Sequence, residues 1–263
     1  MFKEKERNRW AKLALSSLGV ILFFTIWELV VRVGLVSMDK LPPPTMLVET
    51  FIDKLNNPIP DGNTILVHLF ISLRLVLLGF LVSCLVGIPL GLVMGYFKPA
   101  NRLLSPIFEM VKPIPPLAWI PIVIVLFGIG LESELFIIFI AAFVPCVINS
   151  YTGIKSTNQT LINVAKTAGA SNMQIFLKVA IPSALPMVFT GIKVSFGSAW
   201  ATLVAAEMIA SSEGLGYMIG QGRVARRADI VVLGMMVIGL VGAALTSLLG
   251  KLEDHVLPWR RIK

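Results

Sequence analysis

Charged side chains are scarce in this 263-residue chain, at 14% of residues against 56% hydrophobic ones. A soluble globular domain carries about 25% charged residues, so the chain lacks the polar surface to coat one. Histidine is nearly absent: His68 and His255 are far apart, and no Cys/His cluster offers a zinc site. The two cysteines, Cys84 and Cys146, cannot build a disulfide framework. Both fall inside apolar runs and are expected to be small buried hydrophobes. No G-x-x-x-x-G-K-[ST] run occurs, which leaves no phosphate cradle of that type. H-E-x-x-H and G-x-S-x-G are also missing, which disfavours a zinc protease or a hydrolase of that kind. The chain is therefore read as no enzyme, with no catalytic residue, metal or cofactor of its own.

What the chain has instead is long apolar runs. A helix needs about 20 predominantly apolar residues to cross the hydrocarbon core. Residues 13–31, 75–97, 113–131, 135–154, 183–209 and 230–250 meet that need. The expected fold is all-α and polytopic, with six transmembrane helices. The first run follows basic residues as a signal peptide would. It is long for such a segment, and no small-x-small site with a polar chain behind it follows, so an uncleaved first helix is expected.

The net charge is +8, which in a soluble protein would suggest nucleic acid. The placement of the charges removes that reading. Of the Lys and Arg residues in the connections, 14 fall on one side of the spans and 5 on the other. The richer side is cytoplasmic by the positive-inside rule, which puts both termini inside. The resulting organisation is a cytoplasmic N-terminus at 1–12, a first span with its flank at 13–35, and an outer segment at 36–67. A core of five spans at 68–254 and a cytoplasmic C-terminus at 255–263 complete it.

Two connections are long. The outer one carries Leu41-Pro-Pro-Pro44 and then Met46, Leu47, Phe51, Ile52 and Leu55, whose spacing predicts a short interfacial or surface helix. The inner one, 155–182, is predicted to be helical over 160–179 in two pieces broken at Gly169-Ala-Ser171. Gly169 suits a helix stop and Ser171 an N-cap. Pro182 and Pro186 are expected to start the fifth span.

Several residues near or within the spans stand out. Pro115, Pro116 and the neighbouring Pro113 and Pro121 surround Trp119. This density should unwind the helix, and non-helical backbone at membrane depth survives where it is buried in protein or lines a cavity. The stretch is a candidate for a translocation path, with a bent helix start as the plainer alternative. Trp200 and Glu207 mark the outer part of the fifth span. Glu207 is a gate candidate whose carboxylate would repel an anion in an open path, so pairing with a cation or backbone amides is favoured. Arg74 and Lys193 are the electrostatic candidates for an anion or zwitterion, and either could instead snorkel or neutralise an acid. Arg223, Arg226 and Arg227 fit a docking or attracting role, or pairing with Asp229 or lipid headgroups. Gly87, Gly91 and Gly95 form overlapping G-x-x-x-G repeats that permit close helix packing.

A channel, a carrier, or the membrane subunit of a larger machine remains. In the inner loop, Asn163-Val-Ala-Lys-Thr-Ala-Gly169, nine residues, then Val179-Ala-Ile-Pro182, resembles the EAA loop of binding-protein-dependent ABC importer permeases. The spacing, Ala165, Gly169 and Pro182 are kept; Asn163 stands where that pattern has Glu, and Val164 where it has Ala. Leu41-Pro-Pro-Pro44, His68 to Arg74, the Gly87 to Gly95 run, Lys112 to Pro121, Phe127-Gly-Ile-Gly130 and Leu203 to Ile209 are similar to the nitrate/sulfonate/taurine/bicarbonate branch. Within it, KPIPPLAWIP and LVAAEMIA look most like taurine and aliphatic-sulfonate permeases.

The resemblance implies a type I ABC importer permease fold and a homodimer in a bacterial inner membrane. It also implies two cytoplasmic ATPase subunits that bind ATP-Mg and an extracytoplasmic solute-binding protein. Ala165, Lys166, Gly169, Ala170, Ser171 and Pro182 would belong to the loop that couples to the ATPase. Lys166 and Lys178 could pair there with acids or remain solvated. A self-contained carrier or channel for a small anion is the competing reading. Membrane lipid is an expected partner and nucleic acid is not.

Overall fold

In the computed structural model, residues 2–258 are described and, among them, every regular element is helical. In chain order these are α1 (Phe2–Arg32), α2 (Pro44–Lys54), α3 (Ile65–Tyr96), α4 (Lys98–Val111), α5 (Ile120–Phe127) and α6 (Leu131–Lys155). They continue with α7 (Gln159–Thr167), α8 (Asn172–Ile175), α9 (Ile181–Ala210), α10 (Leu215–Val224) and α11 (Ala228–Val256). Among the described residues, α3, α6, α11 and the continuous stretch Asn172–Ala210 are long and apolar enough to cross a membrane. α1 runs through the first apolar stretch of the sequence. Its Leu18, Ile21, Phe23 and Ile26 are all more than half exposed. In water such a face would be anomalous; in hydrocarbon it is the required surface.

The third apolar run does not form the single span its composition suggests. A 3₁₀ turn (Pro116–Trp119) precedes the eight-residue α5, which at 1.5 Å per residue reaches only about 12 Å. α4 supplies the other limb, and the two limbs meet at 83°. The cause is local. Pro113, Pro115, Pro116 and Pro121 lack backbone donors, and each disfavours the α conformation in the residue before it.

The fifth span also differs from expectation, beginning well before Pro182. α8, a π-helical turn (Phe176–Ala180) and α9 run on without interruption. Within the π turn Ile181 N–H reaches back five residues to Phe176 O. Pro182 explains the widening, because its ring would crowd the carbonyl four residues back and it has no N–H to give.

The described residues divide into two compact units. One contains the chain up to Leu66 with Met218–Met236; the other contains Val67–Tyr217 and the chain from Val237. In the first, Glu28 of α1 binds Arg32 at 2.5 Å and accepts from Thr45 Oγ1 at the start of α2 at 2.9 Å. α2, the short helix expected after Leu41-Pro-Pro-Pro44, buries Leu47 of its apolar set together with Thr50 and Lys54. Met46, Phe51 and Ile52 are exposed. The two buried polar side chains are satisfied: Thr50 donates to Asp229 at 2.9 Å, and Lys54 donates to Asp61 at 2.7 Å and to Asn63 O at 2.9 Å.

In the second unit α6 packs along α9. α3 lies on α6 through its glycine ridge. A Cβ on Gly87 would stand 2.9 Å from Cys146 Cβ, and one on Gly95 would stand 2.9 Å from Ile154 Cβ. The G-x-x-x-G face therefore packs within the subunit. The thiols of Cys84 and Cys146 meet there at 3.7 Å and are free. A second cluster joins Leu75, Phe80, Phe196, Trp200 and Leu203 with the inner side of α11.

Candidate functional site

The inner loop is the first site, built by two local devices. Asn158 caps α7 by accepting from Thr160 N–H at 2.8 Å. At the other end Gly169 adopts φ +78°. Its N–H bonds Lys166 O at 2.9 Å, and Ala170 N–H bonds Ala165 O at 3.0 Å. This pair of bonds is a Schellman motif, which closes a helix with a left-handed residue. Glycine is required at this point by conformation alone, since a Cβ there would meet nothing within 4 Å.

Ser171 then opens α8 with a capping box: its hydroxyl accepts from Gln174 N–H at 3.3 Å and Gln174 Oε1 accepts from Ser171 N–H at 2.8 Å. α7 buries no residue. Leu161, Val164, Met173 and Leu177 are half or more exposed across the pair. Lys166 is exposed beside them, and Ala165 and Ala170 are half-buried. Rigid caps around an unburied apolar surface suit a rigid-body contact with another protein.

The second site centres on Glu207, which has no exposure. Its Oε1 accepts from Ser72 Oγ of α3 at 2.5 Å and its Oε2 accepts from Gly216 N–H at 2.7 Å. Leu215 N–H donates to Ser72 Oγ and Gly214 N–H to His68 Nδ1, both at 2.9 Å. Three successive amides at the start of α10 are thus held by three buried side chains from α3 and α9. The carboxylate also sits at the positive end of the α10 dipole. Glycine is needed at Gly214, where φ is +104° and a Cβ would overlap the Glu207 carboxylate.

The remaining path candidates separate. Trp200 is buried, stacks on Phe196 and donates through Nε1 to Ile238 O at 3.1 Å, so it is a packing residue joining α9 to α11. Lys193 is neutralised by Glu253 at 2.5 Å. Pro115 and Pro116 lie in the bend between α4 and α5, and Trp119 meets Phe136 edge-on at 6.5 Å. Arg74 falls ten residues inside α3, which begins earlier than its apolar run suggests. It is exposed and lines a cavity of about 280 Å³ with Glu134, Ser211 and Glu213. Arg227 grips Asp229 through two hydrogen bonds of 2.9 and 2.7 Å.

His68 and Ser72 were not singled out by the sequence. The available signal was their i, i+4 spacing inside an otherwise apolar helix, which places both on one face.

Comparison with known proteins gives these features a family. Residues 87–261 match the family described as binding-protein-dependent transport system inner membrane component. A relative in Methanocaldococcus jannaschii, assigned there as an ABC transporter permease protein, is 39% identical over 95% of this chain and 92% of its own length. The taurine transport system permease protein of Escherichia coli is 35% identical over 96% of this chain and 91% of its own. The nitrate import permease protein of Leptolyngbya laminosa is 34% identical over 92% and 87%. In fold, the chain is similar to one from the MetNI methionine ABC transporter in an inward-facing conformation. That match has a TM-score of 0.55 at 20% identity and covers 68% of this chain and 93% of the other. The chain belongs to the binding-protein-dependent transport system inner membrane component family and is a multi-pass membrane subunit of an ABC importer.

Proposed function

We propose that two copies of this chain form the translocation path of an ATP-driven importer for a small oxyanion, with a sulfonate such as taurine as the leading candidate. The observation that carries the reading is the capped, outward-facing helix pair around Gly169, placed between two spans and left with an exposed apolar surface. In this reading the pair lies in the cytoplasm, as the charge count requires, and docks into a separate ATPase. ATP-Mg is bound and hydrolysed by that partner and not by this chain. A solute-binding protein delivers substrate at the outer face, and the chain spans a bacterial cell membrane with both termini on the cytoplasmic side.

The substrate class is supported by relatives named for taurine, a zwitterion with a sulfonate group, and for nitrate, an oxyanion, at nearly equal identity. Glu207 acts in this reading as a fixed strut that holds the turn at Gly214, Leu215 and Gly216 against α3 and α9, which keeps its charge away from the cargo. The test is uptake by the assembled importer carrying Gly169→Asp. Uptake should be lost while the subunit remains inserted and assembled with its partners. Normal uptake and normal ATPase stimulation in that variant would remove the coupling role from this loop.

A further inference from the structure

A second cleft, of about 560 Å³, opens where the ends of α3 and α6 meet the starts of α4 and α7. Lys98, Lys155 and Lys166 all line it, and no Asp or Glu does. None of the three has an ion-pair partner among the described residues. Around Lys155 and Lys166 the sequence has no acid from 135 to 206, and Glu109 of α4 is paired with Lys112. Three lysines lining one cleft with no acid among its lining residues leave a positive patch without a counter-charge.

Other features of the cleft point the same way. α4 starts there with no side-chain cap, so the positive end of its dipole lies at the cleft. Thr157 lines the cleft too, and its hydroxyl oxygen is buried with no hydrogen-bond partner. The walls are fixed in place: Tyr96 OH donates to Asn172 O at 3.0 Å, and the Lys155 ammonium sits 5.5 Å from the Tyr151 ring centroid.

We infer that this cleft binds a phosphate-bearing anion beside the coupling loop. Its position at the ends of two membrane-spanning helices fits the headgroup of an anionic phospholipid, and a free phosphate has the same chemistry. Either would bridge α3 and α6 to α7 and so set the stance of the loop. The inference does not depend on the substrate or on the ATPase partner.

The experiment uses the full chain purified in neutral detergent. One arm measures retention of phosphatidylglycerol against phosphatidylcholine by native mass spectrometry after exposure to mixed vesicles. The other follows the thermal midpoint during titration with inorganic phosphate. Neutralising each lysine should weaken binding about fivefold, and Lys98→Gln/Lys155→Gln/Lys166→Gln together on the order of a hundredfold. Lys251→Gln, away from the cleft, should change neither arm. Lysine-dependent binding of the lipid alone assigns a headgroup, and a matching response to phosphate assigns a free-anion site; both support the inference. Equal responses of the wild type and the triple variant would overturn it. So would a lysine effect that emerges only when the ATPase is bound, which would assign the cleft to acidic side chains of that protein.

Discussion

Ser72 of α3 donates its hydroxyl to Glu207 of α9 at 2.5 Å, and the same Ser72 oxygen accepts from Leu215 N–H at 2.9 Å. One side chain therefore ties two membrane-spanning helices to the start of the short helix α10. A carboxylate with no exposure is tolerable in this place because a hydroxyl, a backbone amide and a helix dipole all meet it.

Replacing Glu207 tests that arrangement. Glu207→Ala leaves the Gly216 amide and the Ser72 hydroxyl unpartnered in a buried space, at about 1–3 kcal/mol for each lost partner. Glu207→Gln keeps one carbonyl acceptor and should be the milder change. Thermal unfolding of the purified chain should rank wild type above Gln and Gln above Ala. Equal midpoints for all three would show that the network contributes nothing to stability.

Gly169 offers a test that separates conformation from size. Its φ of +78° strains any residue with a Cβ, yet the space around it is open. Asn tolerates this backbone better than Ala does. Gly169→Asn should therefore keep more coupled ATPase activity than Gly169→Ala, although Asn is larger. Ala is expected to cost about 1 kcal/mol at the turn. The reverse order would mean that contact with a partner, not backbone geometry, selects glycine there.

Lys54 and Asp61 form an ion pair with both side chains fully buried. Removing one partner strands a charge, so Asp61→Ala should destabilise the chain by about 3–5 kcal/mol. Replacing both, as Lys54→Met/Asp61→Leu, should recover most of that loss. Resistance to proteolysis in detergent, compared across the three proteins, reads out the difference.

The α3–α6 contact gives a paired control. A Cβ at Gly91 would lie 2.5 Å from Val147 O and 2.8 Å from Ser150 Cβ, whereas one at Gly197 meets nothing within 4 Å. Gly91→Val should lower the thermal midpoint sharply by forcing the helices apart. Gly197→Ala should leave it unchanged or raise it slightly, since alanine is the better helix former.

The sequence made the apolar spans, the loop break at Gly169 and the cap at Ser171 legible because each rests on local chemistry: run length, a left-handed stop and a hydroxyl at an N-cap. What escaped it was tertiary. The buried face of α2 is Leu47, Thr50 and Lys54, and it reads as polar until Asp229 and Asp61 are brought to it. Lys193 looks like a free cation until Glu253, 60 residues away, closes on it. Proline density announced disruption in the third run, but not that α4 would supply the missing limb at an angle of 83°. His68 and Ser72 lie in the His68 to Arg74 segment that resembles the branch, but nothing local shows what they bind; their partners lie more than 130 residues further along the chain.

The most direct test of the central claim is transport in liposomes of defined composition. The chain is reconstituted with its ATPase and solute-binding protein, and labelled taurine and labelled nitrate are offered separately. The account predicts accumulation of one of these two solutes only when ATP and both partners are present, and none with the chain alone. Saturable uptake by the chain alone, without ATP or partners, would contradict it and establish a self-contained carrier instead.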